Sequence, residues 1–487
     1  MQGSARVATR PQDWTRTSSL ISSDPAVADA IDTIVARVEA DSQSFADAEP
    51  ADPSRIAERD GLLERFAAIR GRGAFFPYLG TGRGRGALVE LVDGSVKWDM
   101  ISGIGVYMLG HAHPVAVRAA LEAGLSDLCM QGNLQTNADA LPISELLVRE
   151  ASRTSAIRHC FITNSGCMAN ENALKICQQK TGAAPRVIAF RDCFMGRSTT
   201  MAQLGDGPAY RQGLVLSQQV DYLPFHDHAT GARSTEVALR QLHELLHRYP
   251  RQHSCIVVEP VQGEGGFKTA PREFFAALFD ACRAAGIPVW LDEIQTFGRT
   301  EALFAFDWLG LGSLVDVCTV GKMSQVCACL YTEAMAPKPG LMSGTFTAST
   351  SAFHVGRATV EHLLAGGAFG ADGGNARIHA AFRAAVDRLV ARHPAAFPPV
   401  RDSVGTEQAG FAGGVGGMCR LSPFGGEKSK VDAFVKALFE EGVMTFACGH
   451  GPYHVRFMPP VGAFDPSEWL PVFACVERAI VRVISAA

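Results

Sequence analysis

The sequence predicts an α/β fold, with a mostly parallel central sheet in a large domain followed by a smaller α+β domain. From about residue 112, short apolar stretches typical of buried strands alternate with helical stretches. The chain from Glu259 to Asp292, and again from Asp292 to Lys322, has about the length of one strand–helix–strand unit. After about residue 350 the pattern changes to longer helices with short strands between them. Because ligands of parallel sheets bind beyond the carboxyl ends of the strands, the residues that follow each strand are the candidates for a functional site.

The composition favours a globular protein that binds a small molecule. The 487 residues are 47% apolar, enough for two or three domain cores, and a formal net charge of −4 gives no basic surface for nucleic acid or an anionic membrane. No stretch approaches the length of a membrane span, and the N-terminus lacks the apolar segment of a secretory signal, so we expect a cytoplasmic protein. The arginine-containing, acid-free first twelve residues weakly resemble a transit peptide, but Pro11 and Asp13 argue against one.

The first two segments of the chain carry no recognisable catalytic residue. Residues 1–72 are rich in Ala, Asp, Arg and Ser and are expected to form an N-terminal helical arm. Residues 73–111 contain two alternating stretches, ALVELV and SVKWDM, around Asp93 and Gly94, which predicts a β-hairpin that packs with the small domain. The glycine-rich GTGRGRG precedes a strand and opens no helix, so it is interpreted as a turn and not as a dinucleotide-binding loop.

Residues 112–350 are predicted to form the large domain and residues 351–487 the small one. The predicted strands of the large domain are HCFIT, RVIAF, CIVVEP, IPVWLDE and DVCTVGK. A helix is expected between the third and fourth of these strands, ending near Ala285. In the small domain, Asp465, Pro466 and Glu468 have the spacing of a capping box with proline at the first helical position, so a terminal helix is expected to begin there. The apolar positions of that helix are Phe473, Val476, Ile480 and Val483.

Polar residues follow five of the predicted strands. The first strand leads through Asn164 and Ser165 into Gly166 and Cys167 at the start of a helix, whose N-terminus can bind an anion, although such a start alone is more often structural. The other strand-end residues are Phe194 and Arg197, Glu259 and Glu264, Asp292 and Gln295, and Lys322.

Two of these positions predict unusual electrostatics. An isolated carboxylate at the end of a buried strand is costly to desolvate, so a cationic partner is expected opposite Asp292 or Glu293. Lys322 follows a strand too apolar for a surface edge, and a lysine in such a place has a lowered pKa and suits Schiff-base chemistry.

At this point the chain resembles the class III, ω-type aminotransferases. The blocks that carry the resemblance occur in the family's order between residues 76 and 461: GHAHP, NSGCMANENALK, FMGRS, VVEPVQGEGG, LDEIQTFGR, VGK, GTF and VRFMPP. The segments KMSQVC and PREFFAAL are most similar to lysine 6-aminotransferases, while NENALK and the spacing are also similar to 4-aminobutyrate and ornithine aminotransferases.

The resemblance implies a fold-type I transferase that uses pyridoxal 5′-phosphate. Asp292 would face the pyridine nitrogen of the cofactor and keep it protonated, and Lys322 would bind the cofactor covalently and move the catalytic proton. Cofactor contacts are implied for Gly166, Cys167, Phe194, Glu259, Asp292, Gln295, Lys322 and Thr345. Thr345 would reach the phosphate of a neighbouring subunit, so a homodimer with shared active sites is expected. Substrate contacts are implied for Arg197, Glu264 and Arg456.

The sequence departs from the family pattern at two places and contains one possible metal motif. Met195 stands where the family commonly has histidine, and we expect catalysis to survive this change. TFTAST lacks the usual Gly-Asn after the phosphate-contacting threonine, which bears on the subunit interface. His226 and His228 flank an aspartate without further ligands at metal spacing, so solvated polar residues and no metal are predicted. The 13 cysteines show no C-x-x-C pattern and are expected to be reduced structural thiols.

The predicted function is ping-pong transfer of an amino group from a lysine-like terminal amine to a keto acid such as 2-oxoglutarate. Ornithine, acetylornithine and 4-aminobutyrate are alternative donors, because the blocks above are shared among these enzymes. A decarboxylase or aminomutase on the same fold, and a catalytically silent protein that binds the cofactor, are less favoured alternatives.

Overall fold

The described chain begins with helices that precede the first sheet. The computed structural model describes residues 19–401, 407–408 and 410–485, so the transit-peptide comparison at the N-terminus lies outside the described residues. The helices of this segment are α1 (Ser19–Ser22), α2 (Pro25–Ser42) and α3 (Ile56–Arg70). Asp24 caps α2 by accepting a hydrogen bond from the Ala26 N–H at 2.9 Å, and Pro25 occupies the first helical position.

A small mixed sheet follows the arm. Its strands are β1 (Gly80–Arg85), β2 (Leu88–Leu91) and β3 (Val96–Asp99). The predicted hairpin around Asp93 and Gly94 is confirmed, because β2 pairs antiparallel with β3. The prediction of a turn at GTGRGRG is wrong: this segment is β1, which pairs antiparallel with β2 and contains an irregular register between Gly80 and Gly84. β3 also pairs with a strand of the C-terminal part, Val443–Met444.

The middle of the chain alternates strands and helices. Its elements are α4 (Ser102–Gly105), α5 (Pro114–Ala123), β4 (Met130–Gln131), α6 (Ala140–Ala151), β5 (Ile157–Thr163), α7 (Gly166–Lys180), β6 (Arg186–Phe190), α8 (Thr199–Leu204), α9 (Pro208–Arg211), β7 (Gln219–Leu223), α10 (Ala232–Arg248), β8 (His253–Val258), β9 (Val261–Gln262), β10 (Lys268–Thr269), α11 (Arg272–Ala284), β11 (Val289–Asp292), α12 (Ala305–Trp308), β12 (Val317–Val320), β13 (Cys327–Thr332), β14 (Ala348–Ser349) and α13 (Thr350–Ala365).

A seven-stranded sheet organises this part of the chain, in the order β5-β13-β12-β11-β8-β6-β7. All neighbouring pairs from β12 to β7 are parallel, and β13 runs antiparallel to both β12 and β5. The fold is therefore α/β with a mostly parallel sheet, as predicted. The five strands expected from the sequence all lie in it as β5, β6, β8, β11 and β12, so their carboxyl ends share one edge.

The central strands are buried on both faces. In β11, Val289 and Leu291 pack into the larger core, while Trp290 packs on the opposite face against a second cluster that includes Cys177 and Cys255. With no solvent-facing side along such a strand, polar side chains collect where it ends.

The C-terminal part forms a smaller α+β unit. Its elements are α14 (Gly374–Arg392), β15 (Ala412–Val415), β16 (Met418–Leu421), α15 (Lys428–Glu440), β17 (Val443–Met444), β18 (Phe446–Cys448), β19 (His454–Phe457) and α16 (Trp469–Ser485). The predicted capping box of Asp465 and Glu468 is present, with a short 3₁₀ turn before α16. No described helix has the length and apolar character needed to cross a membrane.

Candidate active site

Lys322 follows β12 in a backbone conformation that side chains seldom adopt. Its φ is 54°, and that of Gln325 is 57°, both in the left-handed region. The Gln325 amide donates to the Val106 carbonyl at 3.0 Å, which ties the turn to the segment after α4. Burial, reinforced by the positive charge of Arg456, lowers the pKa of the Lys322 amine to about 8. Strain of this kind persists where the surroundings enforce it, which is common in active sites.

Asp292 ends β11, beside the strand that leads to Lys322. Its Oδ1 accepts a hydrogen bond from the Ile294 N–H at 3.0 Å, and its Oδ2 accepts one from the Asn170 amide at 2.7 Å. Burial raises the pKa of Asp292 to about 6, although both donors and the Lys322 charge act in the opposite direction. The cation expected near the two adjacent acids is therefore Lys322, within electrostatic reach of Asp292.

Glu293 has a structural role that the sequence analysis missed. Its carboxylate is fully buried and accepts hydrogen bonds from the N–H groups of Ala305 at 2.6 Å and Phe306 at 2.8 Å, so it caps α12. The signal in the sequence was only its position next to Asp292, which does not distinguish a helix cap from a site residue.

The N-terminus of α7 lies against the loops after β11 and β12. Ser165 caps the helix by accepting from the Met168 N–H at 3.2 Å. A Cβ added at Gly166 would meet the Ile294 side chain at 2.9 Å, and one added at Gly321 would meet the same side chain at 3.3 Å. The first turn of a helix leaves its N–H groups without partners inside the helix, so Gly166 and Cys167 offer donors beside the Lys322 turn.

Glu259 connects two further loops of the site. It accepts hydrogen bonds from the Phe194 N–H at 2.9 Å and from the Gly263 N–H at 3.0 Å. Burial and the Asp292 charge raise the pKa of Glu259 to about 8. Gln295 lies against Gly263, and a Cβ added at Gly263 would collide with the side-chain amide of Gln295. The buried Oε1 of Gln295 has no hydrogen-bond partner among the described residues.

Arg197 and Phe194 meet a residue that the sequence analysis did not single out, Tyr210. The Arg197 guanidinium lies 4.3 Å from the centre of the Tyr210 ring and 5.4 Å from that of Phe194, whose ring meets Tyr210 edge-on at 5.3 Å. Arg197 is exposed and forms no ion pair within the described ranges. Burial and the Glu264 charge raise the pKa of Tyr210 to about 12.

Arg456 and Glu264 form an ion pair between the two parts of the chain. The Nη1 atom of Arg456, on β19, donates to Oε1 of Glu264 at 2.6 Å. The Arg456 side chain is buried, and its Nε has no partner in the described part of the chain. Burial alone would lower the pKa of Arg456, but the Glu264 carboxylate holds that pKa above its ordinary value.

Thr345 lies exposed on a loop that is fastened to the segment around β4. The Gly344 N–H donates to the Asn133 side chain at 2.7 Å, and the Asn133 N–H donates to the Gly344 carbonyl at 3.2 Å. Phe346 and Leu134, beside Thr345 and Asn133 in the chain, have 61% and 87% of their surface exposed.

The two histidines of the possible metal motif form hydrogen bonds with hydroxyl groups. The His226 ring pairs with the Ser234 hydroxyl at 2.9 Å and the His228 ring with the Thr269 hydroxyl at 3.1 Å. His226 is buried, so the prediction that it is solvated is wrong. Within the described ranges, no group of three potential metal ligands occurs. The cysteines, all in the described ranges, are free thiols.

The chain matches the model of a known protein family. The model of the class III aminotransferase family matches residues 69–465, and so covers every strand-end residue described above. The chain belongs to the class III aminotransferase family.

Individual relatives agree with this assignment. The chain is 32% identical to an acetylornithine aminotransferase of Bacillus anthracis over 230 residues, which are 47% of this chain and 55% of the relative. It is 31% identical to one of Oceanobacillus iheyensis over 305 residues, 60% of this chain and 71% of the relative. The first such relatives are matched over little more than half of their length, 55–57%.

Solved structures share the fold at lower identity. A lysine aminotransferase of Mycobacterium tuberculosis matches 86% of this chain and 99% of its own with a TM-score of 0.73 at 24% identity. An ornithine aminotransferase of Toxoplasma gondii matches 88% and 99% with a TM-score of 0.72 at 21% identity.

Class III aminotransferases use pyridoxal 5′-phosphate, and the residues present fit that cofactor. The Lys322 amine, with its lowered pKa, offers a covalent attachment point, and the buried Asp292 carboxylate offers a partner for a protonated ring nitrogen. The orphaned Gln295 Oε1 needs a polar partner, and the α7 N-terminus next to Gly166 suits a phosphate. Which of these groups contacts the cofactor remains a prediction.

Proposed function

We propose that the protein is an aminotransferase that moves an amino group from a donor with a terminal amine, lysine-like in shape, to a keto acid such as 2-oxoglutarate. The observation that carries this proposal is the constellation of Lys322 and Asp292 at neighbouring strand ends, with the Arg456–Glu264 pair beside them. Structural ion pairs alone would not require a half-buried lysine with a left-handed backbone conformation and a lowered pKa at this position.

Lys322 would act as the nucleophile and then as the proton carrier. Because burial and Arg456 lower the pKa of its amine to about 8, a useful fraction is neutral near neutral pH and able to accept a proton. The cofactor, when bound, supplies an electron sink for the electrons released when a substrate C–H bond breaks. Asp292 would hold a proton on the ring nitrogen, and Phe194 would pack against the ring.

Arg456 and Arg197 would bind the carboxylates of the substrates. Arginine pairs with a carboxylate through two parallel hydrogen bonds, so two arginines in one pocket suit a dicarboxylate such as 2-oxoglutarate. Glu264 pairs with Arg456 in this structure, which would keep that cation from attracting the carboxylate of a terminal-amine donor into the wrong place.

The donor is the least constrained part of the proposal. The similarity of KMSQVC to lysine 6-aminotransferases favours lysine, whereas the sequence relatives described above are acetylornithine aminotransferases, and ornithine or 4-aminobutyrate would use the same groups. Initial rates with these four donors, each with 2-oxoglutarate and with pyruvate, would rank them by kcat/KM. If an α-amino acid without a distal amine proved the best donor, the terminal-amine assignment would be wrong.

The reaction class has its own test. Purified protein with pyridoxal 5′-phosphate should show visible absorbance from the bound cofactor and convert donors to transamination products. Lys322→Ala should abolish turnover, while the matched change of an exposed lysine, Lys180→Ala, should leave it unchanged. Bound cofactor without conversion of any amine would indicate a silent binding protein, and loss of carbon dioxide or an isomeric amine would indicate a decarboxylase or aminomutase.

We further propose a homodimer in which Thr345 completes the phosphate site of the partner subunit. Exposed Phe346 and Leu134 beside it give an apolar surface for that contact. In the dimer, Thr345→Ala should weaken cofactor binding, and Phe346→Asp should yield monomers by light scattering. A monomeric native protein with full activity would contradict this proposal.

A further inference from the structure

A chain of hydrogen bonds reaches Asp292 from the core of the sheet. The Trp290 indole donates to Oγ1 of Thr319 at 3.2 Å, and the Thr319 hydroxyl donates to Oδ1 of Asn170 at 2.8 Å. The Asn170 amide nitrogen then donates to Oδ2 of Asp292 at 2.7 Å and to the Met195 carbonyl at 2.8 Å. Trp290, Thr319 and Asn170 are at most 1% exposed, so water does not compete for these bonds.

The contacts of Asn170 allow only one orientation of its amide. The Met195 carbonyl and a carboxylate oxygen can only accept, so the atom between them must be the Asn170 nitrogen. The indole N–H of Trp290 can only donate, which leaves the proton of the Thr319 hydroxyl directed at Oδ1 of Asn170. A flipped amide would set its oxygen against two other oxygens. Trp290 and Thr319 therefore brace the amide, and Asn170 presents an N–H to Asp292.

This contact opposes the effect of burial on Asp292. A fixed N–H donor stabilises the ionised carboxylate, whereas removal from water favours the protonated acid. Burial raises the pKa of Asp292 to about 6, and the Asn170 and Ile294 donors limit that rise. The other titratable groups whose charges interact with Asp292 are Lys322, Glu259, Glu293, Cys318 and Cys327.

We propose that Asn170, braced by Thr319 and Trp290, is a positioning residue that keeps Asp292 ionised and oriented towards the ring nitrogen of the cofactor. This inference rests on the proposed function, because it assigns Asp292 to the cofactor. The presence of Met195 where the family commonly has histidine is compatible with it, since Asn170 hydrogen-bonds to the backbone carbonyl at that position.

Thr319→Val tests the brace, because it replaces the hydroxyl with a methyl group of nearly the same size. Binding of pyridoxal 5′-phosphate to the apoprotein is titrated between pH 5 and 8.5. If tight binding needs ionised Asp292, affinity for the cofactor should rise with pH. Loosening the Asn170 amide, which donates to Asp292, should move that rise to higher pH. Weakening one hydrogen bond to a charged group corresponds to an effect of up to roughly tenfold, so Thr319→Val should bind up to about tenfold more weakly at pH 5, below the pKa of Asp292, and the difference should vanish towards pH 8.5.

Two controls separate the loss of the brace from general damage to the structure. Thr319→Ser keeps the hydroxyl and should restore the pH profile of the native protein. Thr332→Val makes the same change at a buried hydroxyl in the same sheet that has no partner among the described residues, and should leave the profile unchanged. If Thr319→Val does not fold, Asn170→Ala removes the donor itself and should give the same shift.

The outcomes distinguish this inference from the function on which it rests. Failure of the native protein to bind pyridoxal 5′-phosphate would remove the proposed function. If the native protein binds the cofactor normally and Thr319→Val or Asn170→Ala shows the same pH profile, only the positioning role of Asn170 would be overturned.

Discussion

Asp292 and Glu293 are neighbours in the chain, but their carboxylates meet different partners. Side chains alternate across a strand, so adjacent positions at its end point to opposite sides of the sheet. Glu293 turns to the N-terminus of α12, where backbone N–H groups satisfy it, while Asp292 turns to Asn170 and the Lys322 turn. A carboxylate therefore belongs to the candidate site at position 292 and caps a helix at position 293.

The Asp292 carboxylate should destabilise the apoprotein once it ionises. Its pKa is about 6 in the folded state and near 3.8 ordinarily, so between these values the folded protein binds more protons than the unfolded one. The free energy of unfolding must then fall as the pH rises through this window. At about 1.4 kcal/mol per pKa unit, Asp292→Asn should gain roughly 2 kcal/mol relative to the native apoprotein between pH 4.5 and pH 8.

Urea unfolding of both apoproteins at the two pH values measures this difference. Any pH-independent cost of placing an amide beside Asn170 cancels in the comparison. The same substitution at an exposed carboxylate, Asp387→Asn, should produce no pH-dependent gain. A constant difference between Asp292→Asn and the native protein would contradict the raised pKa.

Tyr210 should hold the Arg197 side chain in place for an anionic substrate. An arginine over an aromatic face gains about 0.5–2 kcal/mol, and the exposed Arg197 has no carboxylate partner among the described residues. Tyr210→Leu should therefore raise KM for 2-oxoglutarate roughly two- to thirtyfold with little change in kcat. Tyr210→Phe keeps the ring and should stay near the native KM. Equal kinetics for all three proteins would show that the stacking has no role.

At the level of the elements, the sequence was most informative where strands are buried on both faces. Such strands form nearly continuous apolar runs, and the residues after β6, β8, β11 and β12 could be identified from their contrast with those runs. No strand was predicted at β13, Cys327–Thr332, and its antiparallel direction leaves no trace in this pattern. Tyr210 was missed because it belongs to a short helix whose contacts with Arg197 and Phe194 depend on how the loops fold together.

β1 was misassigned because glycine has a low intrinsic tendency to form strands. Here the small residue is required by packing, not by a turn: a Cβ at Gly84 would collide with the Leu88 carbonyl and lie 2.9 Å from Cβ of His111. His111 in turn pairs with the buried Asp99 at 3.0 Å. Close approach of two backbones explains a glycine in a strand as well as a turn does, and the sequence does not separate the two.

Gly84→Ala should therefore destabilise the protein. The new methyl group has no room against a backbone oxygen, and forced shifts of this kind cost about 1–3 kcal/mol. Gly73→Ala is a matched control, because a Cβ there meets no atom within 4 Å. Chemical denaturation should show a lower midpoint for Gly84→Ala only. Equal midpoints for the two variants would mean that β1 can move away from β2 at no cost.

At the scale of the whole molecule, the candidate site lies where the two parts of the chain meet. Besides the Arg456–Glu264 pair, the Gly449 N–H donates to the Glu264 carbonyl at 2.7 Å, and the Ser102 hydroxyl donates to the Met458 carbonyl at 2.8 Å. The buried Arg299 donates to the carbonyls of Gly417 and Pro459, each at 3.0 Å. The position of Arg456 in the pocket thus depends on how the C-terminal part of the chain packs against the rest.

The Arg456–Glu264 pair is either a fixed ion pair or a switch between the two half-reactions. Breaking a buried pair costs about 3–5 kcal/mol when one charge is left alone, so Arg456 can release Glu264 only if a substrate carboxylate replaces it. Glu264 is suited to leave, because 24% of its side chain is exposed, against 5% for Arg456.

If the pair is a switch, Glu264→Ala should free Arg456 for dicarboxylates. The glutamate half-reaction should then become faster relative to the terminal-amine half-reaction, by about tenfold for one charged hydrogen bond. Arg456→Ala should instead damage mainly the dicarboxylate half, because the terminal-amine donor does not need that cation. Single-turnover absorbance with each substrate alone measures the two halves separately. Equal losses in both halves for both variants would identify a static bridge, since a structural defect does not discriminate between substrates.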